Sequence, residues 1–119
     1  MIRPTMLLAA LALLPQTDQP TVRARAQAAL RIPAAAAELE ERGVPLSELS
    51  RALETFRTHA VPATDAVTTL DIERAQPEPM QNFGEFVQQQ LADGKRGQAL
   101  AGALRQEHDR RKASRENPR

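Results

Sequence analysis

The sequence predicts an all-α protein, a small bundle or array of about five short helices joined by tight glycine and proline turns. Alanine, the residue with the highest helix propensity, supplies much of the 41% hydrophobic fraction. Larger apolar residues recur at helical spacing, and glycine or proline separates most of these segments. Because the chain has no cysteine, disulfides and thiolate metal sites are excluded.

The N-terminal segment has the pattern of a secretory signal peptide. Arg3 precedes nine consecutive apolar residues, Met6–Leu14, and a polar stretch follows Pro15. As a helix this run spans about 14 Å, too short for a bilayer core of about 30 Å. We therefore expect residues 1–20 to be a signal peptide, with cleavage as late as residue 26, and no transmembrane segment in the mature chain. The alternative is a first helix that packs into the domain.

The remainder is predicted to form a single helical domain, residues 21–112, followed by a disordered basic tail, residues 113–119. A helix that starts near Pro20 meets Pro33, which either kinks it or begins the next helix. Gly43 stands where a left-handed residue closes a helix, so we expect a positive φ there. The last helix is expected to end near Lys112.

An internal repeat with an offset of 17 residues is the most informative pattern in the chain. Residues 43–54 read GVPLSELSRALE and residues 60–71 read AVPATDAVTTLD. In each copy a proline stops the preceding helix, and Ser47 or Thr64 is placed to cap the next one. The interval fits a short helix with a tight turn, so the pattern predicts short helices built by local duplication.

An apolar stripe follows a capping-box pattern at Asn82 and Glu85. Its members are spaced to share a helical face: Phe83, Phe86, Val87 and Leu91. With Phe56, they are the centre of the core or, alternatively, an exposed surface for a partner. The core arrangement is the usual one for aromatic residues at this spacing.

The charges are unevenly distributed along the chain. Residues 1–32 carry +3, residues 33–92 carry −6 and residues 93–119 carry +4. Lys95 and Arg96 form a basic turn that can contact an anion, although it lacks the spacing of a P-loop. The chain shows no nucleophile motif and no paired histidines, so we expect no catalytic residues, no metal and no cofactor.

Residues 34–53 resemble a bacterial helix-turn-helix of the kind found in LacI-type repressors. Gly43 would be the turn glycine, Leu49 the core residue after it, and the Ser50–Leu53 segment the body of the recognition helix. The resemblance implies a cytoplasmic DNA-binding protein. Leu39, however, occupies a position where that family has a small residue. The reading face also offers little positive charge, and the acidic central segment would repel phosphates.

From these observations we expect a small exported, non-enzymatic helical protein, periplasmic or secreted, that binds another protein or an envelope surface. This expectation depends on the signal-like N-terminus and on the absence of a recognisable catalytic motif. Nucleic-acid binding through residues 34–53 is the alternative. The two differ in their mature N-terminus, because export removes about 15–26 residues.

Overall fold

The computed structural model describes the backbone of residues 4–116 and the side chains of residues 22–116. Between residues 4 and 116 the chain forms five α-helices and no strand, which confirms the all-α class. The helices are α1 Pro4–Glu41, α2 Leu46–Thr58, α3 Ala63–Arg74, α4 Phe83–Ala92 and α5 Gln98–Glu116.

The first helix, α1, continues through Pro33, so the predicted kink or boundary at this proline does not divide it. A proline inside a helix removes the hydrogen bond to the carbonyl four residues earlier, here that of Ala29. Pro33 and Ala29 are both exposed, so water can solvate that carbonyl. The surrounding alanines favour the helix and offset part of the cost.

The first and last helices, α1 and α5, extend past the boundaries predicted for the helical domain. The backbone of α1 begins at Pro4, inside the predicted signal peptide. That peptide stays a prediction, because residues 1–3 lie outside the described residues and side chains are described only from residue 22. At the other end α5 continues to Glu116, past the predicted end at Lys112. Residues 117–119 of the predicted tail also lie outside the described residues.

Gly43 closes α1 with a φ of +104°, as the sequence predicts. The amide of Val44 donates to the Leu39 carbonyl at 3.0 Å, and the amide of Gly43 donates to the Glu40 carbonyl at 3.0 Å. These two bonds define a Schellman motif, which satisfies carbonyls that a helix end otherwise leaves without donors.

The same closure occurs at Ala60 and Gly94, where φ is +53° and +85°. The amide of Val61 donates to the Phe56 carbonyl at 2.8 Å, and the amide of Lys95 donates to the Gln90 carbonyl at 3.0 Å. The first two left-handed residues are one offset of the sequence repeat apart, and Gly94 follows two offsets later. The turns thus share a geometry, while the proposed duplication stays a prediction.

The predicted caps at Ser47 and Thr64 are wrong. The N-cap residues are Pro45 and Pro62, with ψ of 141° and 146°, and neither N-terminus has a side-chain capping bond. The two helices begin immediately after these prolines, so Ser47 and Thr64 already lie in the first turn. The extended proline, rather than a hydroxyl, sets the start of each helix.

Each helix packs mainly on the helix two positions away in the chain. α1 packs on α3, α2 on α4 and α3 on α5, with smaller contacts between α1 and α2 and between α4 and α5. One core cluster extends through all five helices. Its fully buried large side chains include Leu39, Leu49, Leu70, Phe83 and Leu104. Within residues 28–41, α1 packs mainly on α3.

Candidate interaction surface

The stripe on α4 that the sequence offers as core or docking surface lies in the core. Phe83, Phe86, Val87 and Leu91 are all buried, and Phe56 of α2 belongs to the same cluster. The core alternative is therefore confirmed. In this conformation the stripe is not available to a partner.

An apolar face of α1 is exposed instead, on a side of the helix away from α3. We call it the α1 face; it comprises Val22, Ala26, Ala29, Leu30, Pro33 and Ala37. Leu30 is 79% exposed and Val22 is 61% exposed. Between Val22 and Ala37 no charged residue lies within the face, and Glu40, about five turns from Val22, lies at its C-terminal end. The buried residues of α1 (Ala28, Ala35 and Leu39) occupy another stripe. A contiguous exposed patch of this kind marks an interaction site more often than a single exposed leucine does.

The sequence alone indicates part of the α1 face. Val22, Ala26 and Ala29 share one helical face, which the spacing of the residues alone shows. Spacing does not show which side of a helix contacts the core when alanine occupies both sides. Because Ala28 is buried and Ala29 is exposed, only the packing of α1 on α3 distinguishes them.

An open apolar groove of about 250 Å³ adjoins α1 at Ile32. α2, α3 and the turn between them supply its other lining residues, Leu53, Phe56, Arg57, Val61, Ala63 and Ala66. Ile32, Leu53 and Val61 are only partly buried. The groove therefore adds accessible apolar surface beside α1.

The two residues of the basic turn, Lys95 and Arg96, have different surroundings. The Arg96 guanidinium donates to the His59 carbonyl at 3.1 Å and lines a pocket of about 160 Å³. The carboxylate of Asp65 shares that pocket, whereas Lys95 is exposed and does not line it. An anion in the pocket would meet the acid as well as the arginine, so the contact with an anion stays a prediction.

A buried polar pair, Glu73 and His108, connects α3 to α5. The two atoms Nε2 of His108 and Oε1 of Glu73 are 2.7 Å apart, and both side chains are buried. The other oxygen of Glu73 accepts the backbone amide of Met80. These partners satisfy the carboxylate, and removing one partner would leave a buried group unpaired. The pair thus connects α3 to α5 and, through Met80, to the loop that precedes α4.

The residues of the helix-turn-helix resemblance take part in contacts between helices. Glu48, which would lie on the reading face, accepts the amide of Glu85 at 3.0 Å and so caps α4. The predicted cap, Asn82, precedes α4 but makes no capping bond, and its side chain contacts Arg111. Arg51 stays 45% exposed on α2. The would-be recognition helix packs on α4 and makes little contact with α1.

Among the described residues there is no group of three or more metal-binding side chains. In the same part of the chain, none of the helices has an apolar stretch long enough to cross a bilayer. Comparisons with protein-family models, curated proteins and solved structures found no match to this chain.

Proposed function

We propose that this protein is a small, exported, non-enzymatic helical module that acts by binding another protein or an envelope surface through α1. The observation that carries the proposal is the α1 face, in which Leu30 is 79% exposed among apolar neighbours. Burying such a side chain at an interface contributes about 1.5–3 kcal/mol. The signal-like pattern of residues 1–20 supports the export part of the proposal.

A photo-crosslinking amino acid introduced at Leu30, with the protein expressed in its native host, tests the binding part. The matched control carries the same amino acid at Leu46, which lies on α2 and is 61% exposed. We expect a discrete adduct, to a protein or to lipid, from position 30 and none from position 46. Equal labelling from both positions, or none from position 30, would contradict the proposal.

Mass spectrometry of the same preparation tests export. Loss of about 15–26 N-terminal residues is expected on processing. An intact N-terminus on the protein recovered from the cell interior would contradict export without affecting the crosslinking result.

Nucleic-acid binding is the competing function, and no contact within residues 22–116 favours it. Glu48 caps α4 and the central segment is acidic, so we expect no tight binding to duplex DNA at physiological salt. Sequence-specific binding with a dissociation constant near 10⁻⁸ M would favour nucleic-acid binding over the proposed function. Weak binding that modest salt abolishes is expected from the basic C-terminal segment alone.

A further inference from the structure

We infer that the α1 face binds a second copy of this chain, with the two α1 helices antiparallel, in a chain that retains residues 22–41 after any N-terminal processing. This inference rests on the proposed function, because it uses the same surface, and it specifies the partner as a second copy of the chain. The distribution of charge along α1 is the observation that selects this partner from others.

Charge is segregated along the described part of α1. Its N-terminal half carries Arg23, Arg25 and Arg31, and its last turn carries Glu38, Glu40 and Glu41. Two of these six charges are bound to α3, since Arg31 pairs with Asp71 at 2.8 Å and Glu38 pairs with Arg74 at 2.9 Å. A parallel copy would place like charges together, whereas an antiparallel copy places opposite charges together.

Four charges remain to meet a partner: Arg23, Arg25, Glu40 and Glu41. All four are exposed, and within residues 22–116 none takes part in an ion pair. The two glutamates also lie at the C-terminus of α1, where the helix dipole disfavours negative charge. Arginines of a second copy at that end would relieve this unfavourable interaction.

The register follows from helix geometry. Arg23 and Glu41 are separated by about five turns, so they lie on the same edge of the α1 face. In an antiparallel pair centred near Ile32, Arg23 of each copy meets Glu41 of the other. The apolar residues then face each other, with Leu30 close to Pro33 of the second copy. The small residues Ala26 and Ala37 allow the two helices to approach closely.

The paired length sets the expected strength. The segment from Val22 to Glu41 is about 30 Å long, and a contact along one helix lies at the low end of specific interfaces, near 1,200 Å². Alanine contributes little area, so we expect a dissociation constant on the order of micromolar. The dimer should therefore dissociate within an accessible range of protein concentration.

Sedimentation of the full chain over a range of concentrations measures this equilibrium. We expect a monomer–dimer mixture and a weakening of at least about tenfold in Leu30→Glu, because symmetry places the new charge at the interface twice. Leu46→Glu is the matched control, since Leu46 is a similarly exposed leucine on another helix. Its dimerisation should equal that of the parent. A monomer at all concentrations, or equal sensitivity to both substitutions, would overturn the inference.

Charge reversal tests the register. Arg23→Glu and Glu41→Arg should each weaken the dimer several-fold, and the double variant should restore it, because each pair is then reversed on both copies. The effect should diminish in high salt. Additive weakening in the double variant would contradict the pairing of Arg23 with Glu41.

Because the chain has no cysteine, introduced cysteines can show whether the two α1 helices are parallel or antiparallel. An antiparallel pair should form a disulfide when Ala26→Cys and Ala37→Cys chains are mixed, and neither variant should crosslink to itself. Self-crosslinking of each variant would show a parallel dimer and refute the inference. A monomeric chain whose Leu30 position still labels another protein would refute the dimer and leave the proposed function standing. A chain with neither property would refute both.

Discussion

Of the five glycines, Gly84 leaves the least room for a side chain. An added Cβ there would lie 2.3 Å from the carbonyl oxygen of Glu48 and 2.9 Å from the Cβ of Arg51. Because the nearest atom is backbone, no side-chain rotation relieves the overlap, and α2 and α4 must separate by about 1 Å. Overpacking of this kind costs about 1–3 kcal/mol, and loss of the Glu48–Glu85 capping bond adds about 1 kcal/mol.

Thermal unfolding of Gly84→Ala, followed by circular dichroism, measures this cost. For a domain of this size, about 3 kcal/mol lowers the melting temperature by roughly 10–20 °C. Gly102→Ala is the matched control, since Gly102 lies inside α5 and nothing lies within 4 Å of its added Cβ. It should raise stability by about 0.5–1 kcal/mol through helix propensity. If Gly84→Ala melts at the parent temperature, the close contact between α2 and α4 is incorrect.

Four further substitutions test the turns, the core and the C-terminal helix. Gly43→Ala should lower the free energy of unfolding by about 1 kcal/mol, and Ala60→Gly should raise it by about 0.5 kcal/mol, because both residues have positive φ. Chemical denaturation measures both values, and a change of the same sign in the two variants would contradict this prediction. Phe86→Ala should cost about 3 kcal/mol, and parent-like melting would show that Phe86 is not a core residue. Hydrogen bonding to Arg110, helped by Arg111, lowers the pKa of Glu107 to about 2. The resulting stabilisation, at most about 1 kcal/mol, is present above pH 4.5 and lost towards pH 2, so Glu107→Gln should differ from the parent at pH 7 and match it near pH 2.

Local patterns predicted most of the helices correctly. Glycine at position 43 and proline at positions 45 and 62 correctly indicated where helices end and begin, because φ preference and the missing amide act within a few residues. Local patterns failed where the decisive contact is distant in the chain. No residue near Glu48 in the sequence indicates that its side chain caps α4 through the amide of Glu85. Leu100 and Leu104 place His108 on an apolar helical face in the sequence, but no local pattern indicates its pairing with Glu73, which is 35 residues away.

Helix lengths explain why the α1 face was the least predictable feature and why it stays exposed. α3, the main partner of α1, has 12 residues and is about 18 Å long, whereas α1 has 38 residues and is about 57 Å long. α3 packs between α1 and α5, but α1 has its extensive contact with α3 alone. Residues 22–27 are exposed on every side, so alanine propensity, rather than burial, supports the helix there. A second α1 would provide the missing apolar contact along the same length in which the charges are segregated.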